Sequence, residues 1–154
     1  MSNDWQKQGY SEFIARTLNR LNKLDPAKVE KKLWGAAVAV GRTTYGQMSL
    51  AIIDKGGFCS RHYHNQKVNT FIVDEGILLV HVWTDPMDCD TREPDITHEV
   101  KSGEALTIPI NVIHEMEGKT DCIVMEAYHT CVPCHKVCLK DIHRFTTGGL
   151  KPSP

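Results

Sequence analysis

Residues 56–64 read Gly-Gly-Phe-Cys-Ser-Arg-His-Tyr-His, two glycines leading into a run that ends in histidines one residue apart. Side chains at i and i+2 of a strand leave the same face, so His62 and His64 can approach one point from one wall. Neutral imidazole is a good ligand for Zn, Fe, Ni or Cu. The glycines suit a tight turn entering the strand. A second stretch, residues 103–114, reads Gly-Glu-Ala-Leu-Thr-Ile-Pro-Ile-Asn-Val-Ile-His. Gly103 and Pro109 bracket a strand, Ile110-Asn111 suits a turn, and His114 comes early in the next strand. That strand can bring a third imidazole to the same point.

Outward from these stretches the chain reads as short β runs broken by Gly, Pro, Asn and Asp. Candidate strands are Ala36–Val40, Met48–Ile53, Val68–Val73, Ile77–Trp83, Ile96–Val100, Ala105–Ile108, Val112–Glu115 and Cys122–Tyr128. Many short strands with turn signals between them predict an antiparallel sandwich or barrel, and the lack of alternating long helices excludes a parallel α/β sheet. Asp85–Asp95 reads as a polar surface loop. The first 34 residues differ. Phe13, Ile14, Leu18, Leu21 and Leu24 recur at helical spacing and predict an amphipathic helix over Ser11–Leu24. Asp25-Pro26 looks like the start of a second short helix through Val29–Leu33. Both helices are expected outside the barrel or at a subunit contact. The division is then a helical extension (1–34), a barrel (35–130) and a Cys-rich segment (131–154) ending in a loose tail, TTGGLKPSP.

The chain has 154 residues, 41% hydrophobic and 24% charged, which fits one globular domain with a real core. A net charge of −1 gives no reason to expect nucleic acid or an anionic membrane as partner. No apolar run reaches the length of a membrane span, and the N-terminus lacks a signal-peptide pattern, so a cytoplasmic setting is expected. In that setting the six cysteines are expected to be reduced. Cys59 and Cys122 read as small core residues. Cys131, Cys134 and Cys138 form a close cluster near His129, His135 and His143. One close pair falls short of a structural zinc site, and the βαβ context of a redox pair is missing.

Together the two histidine stretches resemble the two motifs of the cupin superfamily. Gly56, His62, His64 and Gly76 match the first motif, and Gly103, Pro109 and His114 match the second. Asn111 and Gly118 replace a usual Gly and Asn. The resemblance implies an all-β, double-stranded β-helix (jelly-roll) barrel over about residues 35–130. It also implies one divalent metal ion, with Zn, Fe, Mn, Co and Ni all open. Asn69 stands where the family usually has a ligating Glu, and Asn offers a carbonyl oxygen but no charge. The implied ligand set is His62, His64, His114 and Asn69, or the three histidines with water in the fourth place.

The segment 62–69 is similar to the metal motif of cupin sugar isomerases such as D-lyxose isomerase, with Lys67 two residues before the ligating position. Trp34-Gly35, Phe71-Ile72-Val73 and Ile123-Val124-Met125-Glu126 also resemble the phosphomannose isomerase domain of bifunctional enzymes. This likeness implies aldose–ketose isomerisation through an enediolate, with Lys67 or Glu126 as the base. Two other classes fit the same residues: a non-haem Fe(II) dioxygenase, and a cupin that binds a small molecule without turnover. The expected partner is a small polar molecule such as a sugar or sugar phosphate, and a homodimer is expected because symmetric dimers are the commonest oligomers. His81 reads as lining the cavity with Trp83 or facing solvent. His129 ends the last core strand, His98, His135 and His143 read as surface residues, and Arg61 reads as pointing away from the face of His62.

Overall fold

Strand formation begins earlier than the sequence reading expects. In the computed structural model, which describes residues 4–21, 25–87, 89–130, 136–138 and 140–152, Val29–Lys32 is a strand (β1) and not a helix. Only one 3-10 turn, Pro26–Lys28, precedes it. β1 pairs antiparallel with Gly35–Arg42 (β2), from Val29 opposite Val38 to Lys32 opposite Gly35. Its sequence, Val-Glu-Lys-Lys, shows no apolar alternation because it is a sheet edge, where charged side chains suppress pairing with other chains.

The first sheet continues through Gly46–Ile53 (β3), Cys122–Thr130 (β11), Lys67–Glu75 (β6) and Ala105–Ile108 (β9), in the spatial order β1-β2-β3-β11-β6-β9. The second is built around Ile113–Gly118 (β10). On one side β10 pairs with Ile77–Trp83 (β7), which pairs with Ile96–Lys101 (β8). On the other it pairs with two short strands, Gly57–Phe58 (β4) and His62–Tyr63 (β5). Every pairing is antiparallel, and the whole is a jelly-roll β-barrel. Its core interleaves Ala51, Ile53, Phe71, Val73 and Val124 of the first sheet with Leu78, Val80, Val82, Val100 and Met116 of the second. Cys59 and Cys122 are buried there, as expected.

The helix, Glu12–Arg20 (α1), lies on the outer face of the first sheet. Phe13, Ile14, Ala15 and Leu18 pack with Trp5 against Ala36, Val38, Ile52 and Ile123. Each large side chain buried this way contributes about 1.5–3 kcal/mol. Ser11 caps the helix, its hydroxyl accepting from the Ile14 N–H at 3.2 Å and donating to Asp54. Residues 22–24 of the expected helix lie outside the described residues. No helix among the described residues is long and apolar enough to cross a membrane.

The C-terminal tail is not loose. His143–Arg144 (β12) pairs with β5, and Gly149–Leu150 (β13) pairs with β4. The tail therefore adds two short strands to the edge that carries the histidine pair. At the first motif's closing glycine, Gly76 has φ 88°, and a Cβ there would sit 2.2 Å from the Asp121 carbonyl oxygen, so only glycine makes the β6–β7 turn.

Candidate metal centre

His62 on β5 and His114 on β10 face each other across a strand pair. His64 lies one residue beyond the end of β5, so the strand places only one of the two histidines. A loop places the other. The His64 carbonyl accepts from the Asn111 N–H at 2.7 Å, which ties the two histidine stretches together. Asn111 has φ 62°. This is why Asn can replace a glycine there, since it enters the left-handed region more readily than other side chains.

The three rings converge, with centroids 4.5 Å (His62–His114), 4.8 Å (His62–His64) and 5.5 Å (His64–His114) apart. One nitrogen of each lies within 4.8 Å of the others. Each ring is held from behind through Nδ1 by a backbone carbonyl: Ser60 at 2.5 Å for His62, Asp141 at 2.6 Å for His64 and Val112 at 2.9 Å for His114. A carbonyl only accepts, so each Nδ1 carries the proton and each Nε2 is left with a lone pair. All three Nε2 atoms are buried and have no partner among the described residues. Burial holds all three histidines neutral, with His64 and His114 lowered to about 4 and His62 well below its usual value.

Asn69 on β6 is fully buried. Its amide donates to Glu126 Oε1 at 2.9 Å, and its Oδ1 is also buried without a partner among the described residues. Four buried acceptors with no donor are costly unless something positive fills the gap between them. The donor set suits a divalent ion: three neutral imidazoles oriented by outer hydrogen bonds, and one amide oxygen.

Asp141 is a supporting residue that sequence reasoning missed. Its carbonyl holds His64, and its carboxylate accepts from the Asn65 and Gln66 N–H groups at 3.0 and 2.8 Å. Burial would raise this carboxyl, but those bonds and the charges near it hold it below the usual value. No local pattern in the sequence marks it, because its role comes from where the segment docks.

A cavity of about 480 Å³ opens beside this centre, lined by His62, Lys67, Glu126, Tyr128, Cys59 and Arg144 among others. His64, His114 and Asn69 do not line it and are 2%, 1% and 0% exposed. Burial pushes the Glu126 carboxyl up, against the Tyr128 hydroxyl, the Asn69 amide and the Lys67 charge. Burial also pulls Lys67 down, while its ammonium sits 4.5 Å from the centre of the Tyr128 ring.

No protein-family model matches the sequence, and no curated protein matches it. Solved structures match its fold. KdgF from Halomonas sp. aligns with a TM-score of 0.56 at 14% identity, over 70% of this chain and 89% of that one. A cupin-2 domain protein from Shewanella frigidimarina aligns with a TM-score of 0.51 at 19% identity, over 72% of this chain and 89% of that one. The chain has the cupin fold. CapF from Staphylococcus aureus, a capsular polysaccharide assembling protein, aligns with a TM-score of 0.58 at 21% identity, over 77% of this chain. This cupin barrel spans about a third, 34%, of CapF's length.

The remaining histidines of the cupin barrel lie apart from the centre. His81 neither lines the cavity nor stands free in solvent, because Nε2 bonds Glu117 at 2.9 Å and Nδ1 bonds Thr97 at 2.9 Å. His129 is exposed and His98 half-buried. His143 is exposed and stacks on Tyr63. Arg61 does point away, its guanidinium 3.7 Å over the Trp83 ring. Cys131, Cys134 and His135 lie outside the described residues, and Cys138 is a free, half-buried thiol.

Proposed function

We propose that this chain is a metal-dependent cupin that isomerises a small hydroxy-carbonyl compound, an aldose–ketose isomerase. The observation that carries the reading is the set of four buried acceptors without a partner among the described residues, His62, His64 and His114 Nε2 and Asn69 Oδ1, beside a cavity that holds Glu126 and Lys67. A divalent ion held by these residues would supply Lewis-acid polarisation of a substrate carbonyl. Glu126 is the base. Burial brings its carboxyl closer to neutrality, where an acid–base group both accepts and returns a proton effectively. The Asn69 amide fixes its Oε1, so the free lone pairs of the carboxylate stay aimed. Burial lowers Lys67, and its ammonium steadies a hydroxyl or the carboxylate beside it. CapF, of which 34% aligns with this barrel, has been solved with a small-molecule inhibitor, 3-isopropenyl-tropolone, which is compatible with a small-molecule ligand here. The cytoplasmic setting and the homodimer expected from the sequence stay part of this proposal.

The test is solvent-proton exchange. Metal-loaded protein incubated with aldoses and ketoses in D2O, without oxygen, is expected to place deuterium on the carbon next to the carbonyl. Glu126→Gln should abolish that exchange. Oxygen consumption with ferrous iron, and no deuterium in the recovered sugar, would replace this reading with a dioxygenase.

A further inference from the structure

One wall of the cavity is the inner face of the first sheet, where Gln47 and Ser49 on β3 and Glu126 and Tyr128 on β11 line it. In that sheet β11 lies between β6 and β3. Ser49 is registered directly opposite Glu126, and Gln47 directly opposite Tyr128. On the other side of β11, Asn69 of β6 is opposite Tyr128 and gives its amide to Glu126. Glu126 therefore has Asn69 and the histidine centre on one side and Ser49 on the other, with about 5 Å from strand to strand.

Ser49 is 7% exposed. Its Oγ accepts from Gln47 Nε2 at 3.0 Å. Among the described residues the Ser49 hydroxyl has no acceptor and Gln47 Oε1 has no donor. The pair thus offers the cavity one donor and one acceptor. Turning the Gln47 amide over exchanges the roles, with Nε2 donating and Oγ accepting, and leaves the same two offers. The neighbouring polar groups are committed: Glu126 Oε1 to the Asn69 amide, and the Tyr128 hydroxyl to the Glu126 carboxyl. Beyond Ser49 the row ends on β2 at Ala39, which has no polar side-chain atom to offer.

A buried polar pair with half its capacity unmet is costly unless a molecule in the cavity meets it. An alcohol hydroxyl gives one hydrogen bond and takes another at the same place, whereas an ionised carboxylate only accepts. We infer that Ser49 and Gln47 form a hydroxyl-recognition pair, and that the ligand lies across the strands from the metal centre, over Glu126, with an uncharged hydroxyl-bearing carbon at Ser49. With C1 and C2 of an aldose over Glu126, the hydroxyl that reaches Ser49 is the one on C3 or C4. The inference rests on the proposed function only for which carbons lie over Glu126. Ser49 and Gln47 touch the ligand away from the reacting carbons, so they set which ligand is held and not the chemistry done on it.

The test is calorimetric titration of metal-loaded wild type and Ser49→Ala with D-glucose, D-mannose and D-xylose, and with the 3-deoxy and 4-deoxy forms of each sugar that binds. Metal content and the D2O exchange are measured on the same samples. At least one sugar is expected to bind the wild type, and one of its deoxy forms to bind about tenfold more weakly. Ser49→Ala should weaken the parent sugar to the level of that deoxy form, leave the deoxy form's affinity unchanged and leave metal content unchanged. The wild-type comparison of parent and deoxy sugars stands without any variant. Binding of no sugar, equal binding of a parent and both its deoxy forms, or a preference that survives Ser49→Ala would each overturn the inference. Protein that discriminates through Ser49 but places no deuterium on any sugar keeps this inference and sinks the isomerase reading. Protein that exchanges deuterium while holding parent and deoxy sugars alike does the reverse.

Discussion

The two faces of β10 are equally buried and chemically opposite. On the inner face His114 is 1% exposed, and on the outer face Glu115 and Glu117 are 7% and 8% exposed. Each outer carboxylate faces an opposite charge. Glu117 accepts from His81 at 2.9 Å and from Lys151 at 2.6 Å. Burial would raise its carboxyl, but these two partners hold it below the usual value. Glu115 sits 3.7 Å from the Arg61 guanidinium, too far for a hydrogen bond but close enough for an ion pair. The inner face has the opposite pattern, with Nε2 of His114 and of its neighbours His62 and His64 aimed at one point without a donor. Burial of polar groups therefore does not by itself mark a site. What marks it is burial combined with orientation from behind and no partner in front.

The sharpest way to break this contrast is to exchange the effects of the two faces. His114→Ala should cut metal affinity by more than the about 10–100-fold typical of losing a supporting hydrogen bond, as measured by competition with a chelating dye. Equal affinity in the variant would mean the inner face is only core. In the cavity, Glu126→Gln should lower turnover by about 10²–10⁴-fold while leaving metal content at the wild-type value. A loss of metal together with turnover would move Glu126 from base to ligand support.

On the outer face, Glu117→Ala leaves His81 and Lys151 without their shared acceptor. It should destabilise the fold by about 1–3 kcal/mol in a denaturant titration, with metal affinity unchanged. A shift in metal affinity would show that the two faces are coupled through β10. A further effect is in pH, in the metal-free protein alone. Burial lowers His64 and His114 to about 4 from the ordinary 6.5. Above about pH 6.5 they are neutral in both folded and unfolded chains. Between about 6.5 and 4 only the unfolded chain takes up these protons, so metal-free protein loses stability as pH falls, by up to about 1.4 kcal/mol per pH unit for each histidine. Glu117, held low in the folded state, adds its loss only at lower pH, through and below the ordinary carboxylate range. Metal-free protein whose unfolding midpoint stays flat from pH 7 to 5 would contradict the inner-face half of this.

The inner face was legible in the sequence because histidines spaced one residue apart, and a third after a Gly–Pro strand, are rare unless something holds them together. The larger strands were legible for a similar reason. Apolar alternation marks any strand with one face in a core, and Ile77–Trp83 and Ala105–Ile108 match their expected bounds. β1 was not legible, because an edge strand of Glu and Lys carries no such alternation and Asp25-Pro26 imitates a helix start. Nor were β12 and β13. Each is two residues long and made by pairing with β5 and β4, a non-local event that no local pattern records. Asp141 was missed with them, since its role comes from where the tail docks and not from its neighbours in the chain.

The most direct measurement is the metal content of untagged protein purified without chelators, by elemental analysis, set beside His62→Ala and His114→Ala. About one divalent ion per chain in the wild type, and none in either variant, is the predicted result. Wild-type protein that arrives empty, and stays empty after incubation with Zn, Fe(II), Mn, Co and Ni, would contradict the metal centre.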